Sequence, residues 1–151
     1  MRGQPFDLAE LLVPAAVDLS ATIEAAAREL VACDVGALAV LDDERVRGIF
    51  GEDDLLRAVF PGYLGELTHT SFVEGDSLLA PHLEKAAATP VSEFMRKAEL
   101  VALPTSALDI AQRFMHTDAT ALVATRDGRF TGVIDQTQFC TTILRRYGWQ
   151  L

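Results

Sequence analysis

Gly36-Ala37-Leu38-Ala39-Val40-Leu41-Asp42-Asp43-Glu44-Arg45-Val46-Arg47-Gly48-Ile49-Phe50 decides the fold, because the chain writes it twice. It returns 84 positions later as Thr120-Ala121-Leu122-Val123-Ala124-Thr125-Arg126-Asp127-Gly128-Arg129-Phe130-Thr131-Gly132-Val133-Ile134. Asp34 meets Asp118, Asp43 meets Asp127, Arg45 meets Arg129 and Gly48 meets Gly132. The apolar positions beyond agree as well: Leu55 with Phe139, Leu56 with Cys140, Val59 with Ile143 and Phe60 with Leu144. Self-similarity at a fixed spacing marks a chain built from copies of one supersecondary unit. Ahead of Asp34 a shift of 85 pairs Ile23 with Leu108, Ala26 with Ala111 and Leu30 with Met115. This predicts a one-residue length change between the helix and the next strand, where a loop absorbs it.

Each copy reads as β-α-β-β-α. In the first, Val13–Val17 is a weak strand interrupted by Pro14, and Ser20 is placed to cap a helix. That helix carries Ile23, Ala26, Ala27, Leu30 and Val31 at i, i+3, i+4, i+7, i+8, one face of an amphipathic helix. Ala37–Leu41 and Val46–Phe50 are apolar runs of strand length around a polar turn, a hairpin pattern. Glu52–Phe60 is a helix ended by Pro61-Gly62. The second copy has a strand at Leu100–Leu103 and a helix capped by Thr105 that runs to about His116. Its hairpin turns at Asp127-Gly128, a strong two-residue turn signal, and its last helix spans Gln136–Arg146. Each unit alone has a half-covered sheet, and two together bury both faces. The predicted class is α+β, with the two repeats packed as a pseudo-twofold pair. Residues 1–60 form repeat one with an N-terminal segment, 61–90 an insertion and 91–151 repeat two. Within the insertion, Leu78 to Ala88 predicts a helix, Tyr63–Leu67 a turn of helix and Thr68–Phe72 a loop or a short extended piece.

Composition bounds the function. The chain has 151 residues, half of them apolar, enough for one ordinary core. Thirteen basic against 22 acidic residues give a net charge of −9, unlike the basic footprint of a nucleic-acid binder. Cys33 and Cys140 are too few for a disulfide framework and read as reduced core thiols. No apolar run approaches the ~18 residues of a membrane span, and Met1–Asp7 leads into no apolar stretch of signal-peptide type. A cytoplasmic protein is expected. His69, His82 and His116 have no partner at metal-motif spacing, so no metal site is expected. Neither a phosphate-binding glycine loop nor a G-x-S-x-G nucleophile turn is present, and the chain is read as non-enzymatic.

The doubled unit resembles the paired cystathionine-β-synthase (CBS) domains, or Bateman module. Pro90-Val91-Ser92-Glu93-Phe94-Met95 is similar to the family's entry into a copy, and both hairpins end in Gly-hydrophobic-hydrophobic, Gly48-Ile49-Phe50 and Gly132-Val133-Ile134. The resemblance covers about residues 10–60 and 90–147. It implies a disc-like module, often dimeric, with adenosine-containing ligands held in clefts between the copies. In that family Thr or Ser follows the hairpin, and an Asp three residues on accepts hydrogen bonds from ribose hydroxyls.

Copy one puts Gly51 in the Thr/Ser position and Asp54 at the ribose position; copy two has Asp135 and Gln138 there. The Pro common on the family's middle strand is absent from both copies. The resemblance therefore implies one nucleoside site, formed by Asp54, Asp53, Gly51, Leu38, Ala39 and Asp18. A second, degenerate cleft would use Asp135, Gln138, Leu122 and Val123. On dipole grounds alone, Glu52, Asp53 and Asp54 also suit a first helical turn, and Asp135 with Gln138 has capping-box spacing. No cofactor is required; AMP, ADP, ATP, S-adenosylmethionine and NAD are the candidate regulatory ligands. Asp54→Ala is expected to abolish nucleoside binding and leave the fold intact.

The expected function is a stand-alone regulatory module that signals through an effector protein or a homodimer, with no nucleic-acid or membrane partner. The alternative is a ligand-free structural or interaction module. The Leu55/Val59 and Phe139/Ile143 helix faces are candidate dimer surfaces or internal core.

Overall fold

The structure is a computed structural model, and it describes residues 7–60, 62 and 75–151, with the side chains of residues 75–78 left out. The proposed helical turn at Tyr63–Leu67, the loop at Thr68–Phe72 and His69 lie outside the described residues.

Repeat one runs β1 (Ala16–Asp18), α1 (Ile23–Cys33), β2 (Ala37–Asp42), β3 (Arg45–Gly51), α2 (Glu52–Val59). After α3 (Gly75–Ala88), repeat two runs β4 (Leu100–Ala102), α4 (Ala107–Met115), β5 (Ala121–Arg126), β6 (Arg129–Asp135), α5 (Gln136–Arg146). Each repeat has a three-stranded sheet in sequence order, its first pair parallel and its second antiparallel. This is the β-α-β-β-α unit read from the sequence, and it makes a mixed α/β chain.

The repeat spacing is more regular than the sequence suggests. Ala16 pairs with Ala39, and Leu100 with Val123, so the first strands also correspond at a shift of 84. Thr22 caps α1 by accepting from the Ala25 N–H, and Ser106 caps α4 by accepting from the Asp109 N–H. Ala26 and Leu30 are buried where Ile110 and Phe114 are buried. The expected shift of 85 is therefore corrected, as are the expected caps. Ser20 donates instead to the Asp18 carboxylate in a local turn, which leaves Thr22 as the oxygen in reach of the helix. The single-residue difference lies ahead of the first strands. Val13 corresponds to Arg96 in its pairing, whereas Ala15 corresponds to Glu99, because Pro14 turns in one residue what Lys97-Ala98 spans in two.

Those leading segments lock the repeats together. Val13 exchanges two backbone hydrogen bonds with Val133 of β6, and Arg96 exchanges two with Ile49 of β3. Each repeat's entry segment is thus hydrogen-bonded to the other repeat's hairpin. β5 shows how the core divides. Ala121, Val123 and, on β6, Val133 join the cluster built around repeat one, while Leu122, Ala124 and Ile134 face Ile110, Phe114 and Phe139. A strand buried on both faces needs apolar side chains at every position, which explains the unbroken apolar run.

α3 packs on α1 and α2, and the chain leaving it bonds to the start of α1 through Ile23 to Thr89 and Val91 to Ala21. Among the described residues of the insertion, a helix stands where one was expected. Leu55, Val59 and Ile143 pack against the cores, and Phe139 is buried within one, so those positions are internal. Leu56 of α2 and Phe60, the residue that ends it, are exposed instead.

The two thiols differ. Cys33 is half-buried, and its Sγ–H donates to Glu29 at 3.2 Å; burial first, and then the Glu29 carboxylate, push its pKa up. Cys140 is exposed, because Phe139 beside it takes the core position. The expectation of two core thiols is corrected for Cys140. At pH 8 a disulfide reagent is expected to modify Cys140 at least about tenfold faster than Cys33, since the thiolate is the reacting form. Equal rates in the folded protein would contradict this arrangement.

Candidate functional site

Two clefts open between the repeats, and each takes walls from both. The larger, about 740 Å³, has Gly51, Glu52 and Asp53 at the start of α2 on one side. Facing them are Asp118 and Thr120 from the turn between α4 and β5, with Arg96 below on the inter-repeat segment. The smaller, about 520 Å³, exchanges the roles: Asp135 and Gln138 at the start of α5 face Asp34 and Gly36 of repeat one, with Val13 in the place of the inter-repeat segment. This exchange is the pseudo-twofold relation of the repeats, expressed as two sites.

The sequence candidates divide accordingly. Gly51 and Asp53 line the large cleft, Gln138 lines the small one, and Asp135 lines both. Leu38, Ala39, Leu122 and Val123 are fully buried and offer no surface to a ligand. They are corrected to core residues, since the strand centre is covered on both faces. Asp18 is exposed, lines neither cleft, and accepts from the Ser20 N–H and hydroxyl, which hold its carboxyl below the usual carboxylate range.

Asp54 is 0% exposed. Its Oδ2 accepts from the Gly51 N–H at 2.7 Å, and its Oδ1 pairs with Arg57 and with Arg96 Nε at 2.8 Å. The helix start explains the first contact: the N3 carboxylate reaches back to the N-cap N–H, and Gly51 has no side chain to return the favour. In repeat two the halves are reversed, with Asp135 accepting from the Gln138 N–H at 3.0 Å. One repeat keeps one half of a capping box, and the other repeat keeps the other. Asp54 therefore stands behind the cleft wall, joined to the fold, and the expectation that Asp54→Ala leaves the fold intact is corrected.

Gly36, Glu99, His116, Asp118 and Thr120 line the large cleft and were missed as site residues. The recurrence of Asp34 at Asp118 was the available signal, because the turns holding them face the two clefts. The paired Arg45 and Arg129 line neither; Arg129 pairs with Glu44 at 3.3 Å across the two hairpin turns.

The CBS domain family model matches residues 12–61 of this chain. That stretch is similar to a CBS domain, and the whole chain shares the fold of solved CBS-pair structures. The solved structures it resembles include a CBS domain-containing protein of unknown function from Kribbella flavida, 14% identical with a TM-score of 0.74, covering 90% of this chain and 97% of that one. The CBS-pair protein CBSX2 from Arabidopsis thaliana is 18% identical with a TM-score of 0.69, covering 97% and 100%. A CBS domain-containing protein of unknown function from Bacillus anthracis is 17% identical with a TM-score of 0.68, covering 94% and 95%. No curated protein sequence matches the chain. In the second repeat, which the family model does not cover, the register and the crossing segment repeat those of the first. No helix among the described residues is long and apolar enough to cross a membrane.

Proposed function

We propose that this CBS pair is a regulatory module, not an enzyme, that senses an adenosine-containing ligand in the larger inter-repeat cleft. The observation that carries the reading is the cleft itself. It has ligand-sized volume, about 740 Å³, and its walls come from both repeats, so a bound molecule would tie them together. Asp53, exposed in the first turn of α2, is the carboxylate offered to ribose hydroxyls in this reading; Asp54 supports the wall behind it. Output would pass through association, as a homodimer or with an effector protein. Leu108 and Met115, 82% and 83% exposed on α4, support such a surface.

Thermal unfolding against AMP, ADP, ATP, S-adenosylmethionine and NAD tests the sensor. A ligand at 100 times its Kd adds about 2.7 kcal/mol, or roughly 5–10 °C for this length. Asp118→Trp would fill the cleft from an exposed position that makes no side-chain hydrogen bond or ion pair among the described residues. It is expected to remove the shift while leaving the protein's own melting temperature within about 2 °C.

The closure of Asp54 by its own arginines favours a second reading, a ligand-free interaction module. A cooperative transition that no ligand shifts would select it.

A further inference from the structure

The charges around the larger cleft are poorly balanced. Glu52, Asp53, Asp118 and Asp135 line it without an ion-pair partner among the described residues. Glu99 lies 4.0 Å from Arg113, which offsets it. Of the two cations on the walls, Arg96 is drawn back to Asp54, and Lys97 has no carboxylate partner among the described residues. Two of the acids approach each other from different repeats. A β-carbon placed on Gly36 would stand 3.5 Å from Glu52 Oε1 and 4.0 Å from Asp135 Oδ1. They are not gathered as a metal centre, since among the described residues no three His, Cys, Asp or Glu side chains converge in that way.

A space of about 740 Å³ is roughly 9 Å across, close to the Debye length of about 8 Å at physiological ionic strength. A ligand inside feels these carboxylates with little screening. The starts of α2 and α5, which would otherwise favour an anion, already carry acids in their first turn or at their cap.

We propose that the larger cleft selects its nucleoside by charge, accepting one with zero or positive charge and rejecting a free polyphosphate. The selection rests on the nucleoside reading above. It is set by Glu52, Asp53, Asp118 and Asp135, with Arg96 withheld from phosphate by its bond to Asp54. A sulfonium-bearing nucleoside gains from the same carboxylates that repel a triphosphate.

Isothermal titration with adenosine, S-adenosylmethionine, ATP in EDTA and ATP with Mg²⁺ tests it. Adenosine and S-adenosylmethionine are expected to bind at least tenfold more tightly than metal-free ATP, with Mg²⁺ recovering part of the loss. In the double variant Glu52→Gln, Asp53→Asn the preference should shrink at least threefold, and the melting temperature reports whether the fold is kept. Asp118→Asn, away from any helix start, should shrink it in the same direction. Metal-free ATP binding as tightly as adenosine would overturn the charge selection and leave the nucleoside reading standing. So would an unchanged preference in both folded variants. Binding of none of the four would overturn the nucleoside reading and the selection with it.

Discussion

Gly48→Ala is expected to lower stability by about 3 kcal/mol and the melting temperature by about 10 °C. The added Cβ would stand 2.7 Å from the Arg96 carbonyl oxygen and 3.0 Å from Met95 Sδ. The oxygen belongs to backbone that is hydrogen-bonded to Ile49 in both directions, so it cannot step aside without losing the crossing between the repeats. Gly132→Ala is the same experiment on the other side. Its Cβ would stand 2.9 Å from Leu12 Cβ and 3.2 Å from Leu12 Cα, beside the Val13–Val133 crossing. The comparison is Gly62→Ala, where nothing among the described residues lies within 4 Å, and the expected change there is within about 0.5 kcal/mol. Urea denaturation of the three variants measures this. If Gly48→Ala and Gly132→Ala unfold at the same midpoint as Gly62→Ala, the inter-repeat crossings do not run where the structure puts them.

Asp54→Ala is expected to cost about 2–4 kcal/mol. Removing the carboxylate takes away a helix cap, worth about 1 kcal/mol, and orphans the Gly51 N–H in a buried position, worth about 1–3 kcal/mol. The ion pairs add less than their number suggests, because Arg57 and Arg96 are both more than half exposed and regain water. Asp54→Asn keeps an acceptor for Gly51 and is expected to cost about half as much. An Asp54→Ala protein with the parent's denaturation midpoint would refute the supporting role. Reduced ligand binding in Asp54→Ala therefore cannot by itself identify a ribose contact. Asp118→Trp and Asp53→Asn, both at exposed positions on the cleft wall, are the variants that report on the cleft.

Much of this was legible beforehand, for reasons particular residues show. The hairpin strands are apolar runs bounded by acidic turns. Asp43 and Asp127 both adopt positive φ there, a conformation Asp tolerates better than most residues. Side chains that answer to local geometry are legible: the recurring glycines, the capping-box spacing of Asp135 and Gln138, and Ile23, Ala26 and Leu30 of the expected helix stripe; Val31, the stripe's last member, is corrected, since it is 83% exposed. The helix caps were placed one or two residues early, because Ser20 and Thr22, or Thr105 and Ser106, are equally good oxygens until the backbone fixes which one faces the helix. The shift of 85 failed for a similar reason. Leu108 and Met115 look like core residues in a sequence, yet they are exposed, and Ile110 and Phe114 fill the core instead.

By itself the sequence determined the repeated β-α-β-β-α unit, the hairpins, the helix periodicity and the acidic balance of the chain. These follow from short-range pattern and turn chemistry, which act within a few residues. The tertiary structure alone decided that Val13 and Arg96 cross to the opposite repeats, and so why Gly48 and Gly132 must be glycine. It also decided that Asp54 faces inward to two arginines while Asp53, its neighbour, faces the cleft. A one-residue step along a helix turns a side chain by about 100°, and whether the next position meets solvent, a cleft or a core depends on what packs there. For Asp54, Gly51 and Arg57 are local partners, but Arg96 comes from more than forty residues away along the chain, and so do Asp118 and Thr120 across the cleft from Asp53; no local pattern encodes those.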